Sequence, residues 1–391
     1  MGRAEKQALA AMFGLFGFGV MTLGPRMPDI KYNLGVSNGT FGIILSSGSI
    51  GALVSLLTMG HIVHRIGVKS VLLVSTFTMY GTLAIMVHLH NPVIYLILNL
   101  ICGASWSSYH IAINAQAFHR QKDSGQTIIP FMHGFWTAGA LGSAVVASLV
   151  ARTIPITWHV DTLVTVDFIV TMCVIYLLRN VLLQGREITD SDGVVTLKDI
   201  AKSFKIDWFI SIAVLCSQTL ETMLGDWGSI FAREEIGVNA SLAVLPYIFF
   251  MGGMIFGRIS FGPLSKRWSE QRLIRIFPLV AGLTFSIFMY TGYLVSKNHQ
   301  LLGFAIVDIA FLVGGVGISF LGPLFLAIAG RRSDRPSGVI VAEIGALNQI
   351  LNFAVRVVLA WTIHIIGLPL MLVIPALMLA AVTFFAAAGK A

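Results

Sequence analysis

The chain has 391 residues, of which 56% are apolar and 11% charged, and its formal net charge is +8. About 25% of the residues of a soluble protein are charged, so this composition leaves too little polar surface for a water-facing domain and excludes a soluble fold. Apolar windows of about 18 residues or more recur along the whole length, the mark of a polytopic helical membrane protein.

In chain order, spans 1 to 6 are predicted at residues 7–26, 40–63, 69–89, 92–118, 130–152 and 160–183. Spans 7 to 12 follow at 207–231, 240–264, 272–296, 300–329, 337–362 and 367–388. Arg3 and Lys6 precede the first apolar run as in a signal peptide, but no small-residue cleavage site follows, so the run is kept as span 1. Cys102, Cys173 and Cys216 each lie in an apolar span and imply no disulfide framework. The longest polar connection divides the chain into a bundle at 1–183, a linker at 184–206 and a second bundle at 207–391. Within the linker, Leu197, Ile200, Ala201 and Phe204 recur at helical spacing opposite Lys198, Lys202 and Lys205, which predicts a short amphipathic helix on the membrane surface.

Lys and Arg set the expected orientation. With both termini inside, nineteen basic residues fall on the cytoplasmic side, and only Arg26, Lys31, Arg152, Arg233 and Lys297 on the outer side. The positive charge therefore reflects topology and anionic lipid; no nucleic-acid partner is expected. No Walker motif, dinucleotide fingerprint or metal-ligand spacing occurs, so no cofactor or metal is expected either.

The two halves read as a repeat. Gly60, Arg65, Gly67 and Lys69 follow span 2, and Gly262, Lys266 and Arg267 follow span 8 with one offset serving Gly60/Gly262 and Arg65/Arg267. A parallel repeat with a tight basic turn suits a two-bundle transporter. At this point the sequence resembles the major facilitator superfamily: twelve helices, a central loop and two copies of the G-x-L-x-D-R-x-G-R/K turn. His64 and Lys266 stand where the turn has its Asp, which weakens the inner gate that the family pattern implies. Arg258 matches a family Gly-Arg pair with Gly257 and is grouped with that gate, or seeks a helix end or a carboxylate. A narrower resemblance, to rhizopine-transport-like and fucose-permease-like permeases, rests on three segments. These are Arg26-Met-Pro28-Asp29-Ile30, His133-Gly134-Phe135, and Glu221 followed by Asp226-Trp227.

Several residues in the spans carry chemistry. At 1.5 Å per residue, Glu221 lies about 21 Å into span 7 and Asp226 about 28 Å. Carboxylates at membrane depth are costly and generally face a cavity or a partner. Glu221 is the leading candidate for reversible protonation, since a change of surroundings can load and release a proton; Asp226 is the second. The alternative is a permanent ion pair bracing span 7. The superfamily resemblance makes spans 1 and 7 symmetry mates, so Arg26 is expected to pair with Asp226 or Glu221 as an outer gate, or else to be a solvated helix-end residue. It also makes span 11 a neighbour of span 7, so Arg356 is expected to partner Glu221. Trp106, His110 and Asn114 share one face of span 4 and, with His133, Asn348 and Asn352, are expected to contact substrate. Interhelical hydrogen bonding is the alternative for such polar residues. Small-residue patterns at Ser47/Gly51/Ser55, Gly134/Ala138/Gly142 and Gly253/Gly257 read as close-packing faces; the resemblance implies that spans 2 and 11, and 5 and 8, pack together, so these faces are expected to slide between bundles.

The expected fold is all-α, with twelve transmembrane helices in two pseudo-symmetric six-helix bundles. The expected function is proton-coupled transport of a small polar, sugar- or cyclitol-like solute by a monomer in the bacterial inner membrane. Export of amphipathic compounds is the alternative within transport, and a membrane-embedded enzyme or receptor the alternative outside it.

Overall fold

The computed structural model describes residues 2–124, 128–185, 207–332 and 337–390. The amphipathic linker helix expected at 197–204 lies outside the described residues. Among the described residues, ten helical segments are long and apolar enough to cross a membrane. Two of them, Asn38–Met86 and Glu343–Gly389, run to 49 and 47 residues. At 1.5 Å per residue each would measure about 70 Å, more than twice the hydrocarbon thickness. Each therefore folds back, at Gly67 (φ 83°) and Gly367 (φ 80°), where only glycine takes a left-handed φ at no steric cost. The ten segments thus supply twelve spans.

Their bounds follow from local chemistry. Span 1 is Arg3–Val20 continued by a 3-10 turn at Gly24–Arg26 and the short helix Met27–Leu34, with Pro25 and Pro28 at the start of the two new turns. Span 2 opens on Ser37, whose hydroxyl accepts from the Thr40 amide at 3.3 Å, satisfying one of the amides a helix start leaves orphaned. Asp207 caps span 7, Trp208–Phe231, in the same way through the Ile210 amide at 3.1 Å. Span 4 is Pro92–Ser124, span 5 Ile129–Val150 and span 6 Ile156–Leu178. Span 8 is Leu245–Ser265 and span 9 Glu270–Ser296, capped by Ser269. Span 10 is broken into Gln300–Ile318 and Leu321–Arg331. Spans 11 and 12 are the two arms of Ser337–Ala381 either side of Gly367.

Spans 1 to 6 pack as one group and 7 to 12 as another, with spans 2 against 11 and 5 against 8 between them. The two groups repeat one another at their closest helix crossings. A Cβ on Gly51 of span 2 would stand 1.9 Å from the Leu100 carbonyl oxygen of span 4. One on Gly253 of span 8 would stand 2.1 Å from the Leu312 carbonyl of span 10. Gly103 against Gly48 and Gly315 against Phe250 repeat the reciprocal contact. Gly51 and Gly253 share the sequence offset of Gly60 and Gly262, so the repeat legible in the turns extends into packing.

These contacts correct one expectation. The stripes Ser47/Gly51/Ser55 and Gly253/Gly257 were expected to slide between bundles. They instead join helices within a bundle: Ser55 and Ser108 hydroxyls meet at 2.7 Å, and Gly257 lies against Ser319. Small residues let backbones approach, and the closest approaches are the fixed ones. On the perimeter, Phe77, Leu149, Ile259 and Ile365 are each at least 70% exposed, an apolar surface suited to acyl chains rather than water.

Candidate functional site

Because the span count is even, both termini lie on one face, here called the terminal face; the other is the far face. Between the bundles, at depth, runs a chain of polar side chains. It begins in span 4 with His110, which is exposed although Phe16 of span 1 stacks on it at 5.8 Å and His133 of span 5 stands edge-on at 5.9 Å. A ring that keeps accessible surface while packed against two other spans lines a space inside the molecule. Asn114, one turn on, accepts at Oδ1 from His133 Nε2 at 3.3 Å. Its amide donates to the His110 carbonyl at 2.8 Å. Thr137, one turn beyond His133, donates to the His133 carbonyl at 3.0 Å and accepts from Arg258 Nη1 of span 8 at 2.8 Å. Arg258 is the cation that acts on Glu221 of span 7, with no direct ion-pair contact between them.

The geometry around Arg258 has a covalent origin. In an unbroken helix the Ser319 carbonyl would accept from the amide four residues on, but residue 323 is proline and has no N–H. The helix parts at Ser319–Phe320, and Arg258 Nε takes the freed carbonyl at 3.1 Å. Arg258 therefore binds span 10 of its own bundle and span 5 of the other. It lies seven residues inside the end of span 8, away from the Gly262–Arg267 turn with which the motif had grouped it.

A second arginine repeats the arrangement nearer the far face. Arg356 Nη2 of span 11 pairs with Asp226 of span 7 at 2.5 Å, and its Nη1 donates to Ser49 of span 2 at 3.1 Å. Each carboxylate of span 7 is thus served by an arginine of its own bundle that also holds a hydroxyl of the other bundle. The expected pairing of Arg356 with Glu221 is corrected: by helical rise Arg356 and Asp226 both lie about 28 Å from the terminal-face ends of their spans, a full turn beyond Glu221.

Arg26 pairs with neither span 7 acid. Its Nε meets Asp29 at 2.6 Å, and its Nη1 and Nη2 each donate to the Ile154 carbonyl at 3.3 Å. The break in span 1 turns this residue toward spans 5 and 6 and brings Asp29, three positions on, into reach. The charges that join the bundles at the far face are others: Asp29 to Arg233, and Lys31 to Glu234 at 2.6 Å. Ser229 adds a bond to the Gly24 carbonyl at 3.3 Å. No motif marks these latches in the sequence; their signal there is opposite charge just past the ends of spans 1 and 7.

On the terminal face, ion pairs among the described residues stay within a bundle: Glu5 to Arg120 at 2.6 Å, and Glu270 to Arg331 at 2.5 Å. Arg65 and Arg267 are exposed, Lys69 is half-buried, and Gly60 has open space beside it. Gly67 is fixed by the Val68 amide donating to the Leu183 carbonyl at 3.0 Å.

The remaining expected contact residues carry unused polar atoms. Trp106 Nε1, Asn348 Oδ1, Asn352 Oδ1 and Arg356 Nε are buried without a hydrogen-bond partner. Asn348 spends its amide on the Ile344 carbonyl at 3.0 Å. Among the described residues no group of three or more His, Cys, Asp or Glu could hold a metal ion.

Comparison with known proteins fits this architecture. An uncharacterised MFS-type transporter of Yersinia pestis is 23% identical over 351 residues, covering 89% of this chain and 86% of the relative. Membrane protein MosC of Rhizobium meliloti is 21% identical over 324 residues, covering 82% and 74%. Among solved structures, the nucleoside transporter NupG aligns over 99% of both chains with a TM-score of 0.72 and 14% identity. A D-xylose-proton symporter aligns over 98% of this chain and 97% of its own, with a TM-score of 0.71 and 14% identity. Those structures share the fold of this chain, and the sequence profile of the Major Facilitator Superfamily matches residues 9–354; the chain belongs to that family of membrane transporters.

Proposed function

We propose that this transporter carries a small polar organic solute, sugar- or cyclitol-like, coupled to protons, with the two bundles rocking about the polar chain from His110 to Glu221. The observation that carries the reading is Arg258, which bonds Thr137 across the bundle interface while acting on Glu221 without contacting it. A proton on Glu221 changes how firmly Arg258 is held to its own bundle, and so how firmly it holds the other.

His110, Asn114 and His133 offer donors and acceptors on one side of the space, and the unpartnered atoms of Trp106, Asn348 and Asn352 offer more. Buried polar groups are ordinarily hydrogen-bonded, so these unpartnered atoms suit a hydroxyl-bearing solute. The D-xylose-proton symporter and the nucleoside transporter sharing the fold support solutes of this kind. The latches Asp29–Arg233 and Lys31–Glu234 close the far face, which suits a state open toward the terminal face. The basic excess there makes the terminal face cytoplasmic under the positive-inside rule, and the setting a bacterial inner membrane. Sliding of spans 2 on 11 and 5 on 8 supplies the alternation, within a monomer.

The test has two steps. Purified protein is screened for thermal stabilisation by sugars, cyclitols and nucleosides, since a ligand bound to the native state raises its stability by mass action. Flux of the stabilising solute into proteoliposomes is then measured with and without a pH gradient. Gradient-driven accumulation that Glu221→Gln abolishes, with exchange retained, supports the reading. Accumulation unaffected by the gradient or by Glu221→Gln overturns it.

A further inference from the structure

Inside the first bundle, away from the polar chain just described, a carboxylate is buried with too few partners. Asp167 of span 6 is 3% exposed. Its Oδ2 accepts from the Tyr80 hydroxyl of span 3 at 2.7 Å, and its Oδ1 accepts from nothing. Among the described residues no Lys, Arg or His forms an ion pair with it. One hydrogen bond does not compensate a full charge removed from water; such a group is neutralised by a proton or a cation instead.

The surroundings are built from oxygens. Thr171, one turn on and 1% exposed, places Oγ1 3.4 Å from the Tyr80 hydroxyl. Tyr109 of span 4 is wholly buried, its hydroxyl has no hydrogen-bond partner, and it lies within electrostatic reach of Asp167. Room for this group depends on Gly19 of span 1, where a Cβ would stand 2.9 Å from both Asp167 Oδ2 and the Tyr80 hydroxyl. Four spans thus converge on two unused oxygens, one anionic and one neutral. Hard oxygen ligands suit a hard cation.

We propose that Asp167, Tyr80, Tyr109 and Thr171 form a binding site for one monovalent cation, a proton or Na⁺, buried in the first bundle. The site stands independently of the transport reading above. Tyr109 connects it to that reading, because its ring stacks on Phe16 at 4.8 Å and Phe16 stacks on His110. Occupancy therefore sets the position of an aromatic pair that borders the solute space. The titratable groups facing Asp167 from the packed elements are the Tyr80 and Tyr109 phenols.

The experiment measures thermal stability of the purified full chain in two arms. In the first, NaCl replaces choline chloride at constant ionic strength and alkaline pH, with KCl as control. In the second, pH is lowered without sodium. Stabilisation by NaCl but not KCl, lost in Asp167→Asn, identifies Na⁺; stabilisation on acidification alone, lost in Asp167→Asn, identifies the proton. Either response should survive in Glu221→Gln, which separates this site from the central acid. If Asp167→Asn does not fold, Tyr109→Phe and Thr171→Val keep the carboxylate and should move the cation midpoint about tenfold, the equivalent of 1.4 kcal/mol of lost ligation. A wild-type protein indifferent to both cations, or variants that respond as wild type does, overturns the proposal.

Discussion

Arg258 donates from Nε to the Ser319 carbonyl at 3.1 Å, the carbonyl that Pro323 leaves without a helical donor. A missing N–H in span 10 is thereby converted into a fixed seat for a charge that reaches the opposite bundle. Arg258→Ala should orphan that carbonyl and break the bond to Thr137 across the interface, lowering stability by about 1–3 kcal/mol and reducing transport. Arg258→Lys keeps the charge but not the two-pronged geometry, so transport should fall even though the fold survives. Pro323→Ala restores a helical amide that competes for Ser319, and should raise thermal stability while lowering transport. Thermal melts and proteoliposome flux on the three variants check this.

The far-face latches predict a conformational bias. Exposed ion pairs contribute about 0–1 kcal/mol each, so Arg233→Gln with Glu234→Gln, which keeps Asp29 on Arg26, should leave folding nearly intact and shift the population toward opening at that face. Single cysteines placed beside Ser229 should label faster in the double variant. The charge swap Lys31→Glu with Glu234→Lys should return labelling to the wild-type rate. Rising salt should speed labelling of the wild-type background, because these pairs are screened.

Arg356 and Asp226 form a pair of a different kind, with each side chain about 15% exposed or less. Removing one partner leaves the other uncompensated at depth, a cost of about 3–5 kcal/mol. Asp226→Asn should therefore destabilise more than the double variant Asp226→Leu with Arg356→Met. A double variant as unstable as the single one would show that the pair itself, rather than the stranded charge, supplies the stability.

The matched helix crossings predict matched sensitivities. Gly51→Val and Gly253→Val drive a Cβ to about the same overlap with a backbone carbonyl, 1.9 and 2.1 Å away. Backbone cannot rotate aside as a side chain can, so both should abolish folded yield, one through each bundle. Gly134→Ala, with nothing within 4 Å of the new methyl, should express as wild type. Fluorescence-detected gel filtration of the three variants is sufficient.

What the sequence determined by itself is the count and placement of the spans. Span 7 was expected at 207–231 and runs over Trp208–Phe231; span 9 was expected at 272–296 and runs over Glu270–Ser296. This is legible because a bilayer demands a long apolar run with all backbone groups bonded internally, a one-dimensional requirement that composition satisfies or fails. The paired turns after spans 2 and 8 likewise foretold a repeat that the glycine crossings extend. The buried polar side chains could be named as well, since each is expensive where it stands.

Which of them meet was decided only in three dimensions. Rise along the axis gives depth, which sets Arg356 level with Asp226, although the partner expected for it was Glu221. It does not give rotation about the axis, or the turn that a break imposes. The broken end of span 1 sent Arg26 to Asp29 and Ile154, and the proline break in span 10 supplied the helix end that was the alternative to the gate for Arg258. Interbundle hydrogen bonds and ion pairs join residues 93 or more positions apart, so their partners are fixed by how two bundles settle on each other.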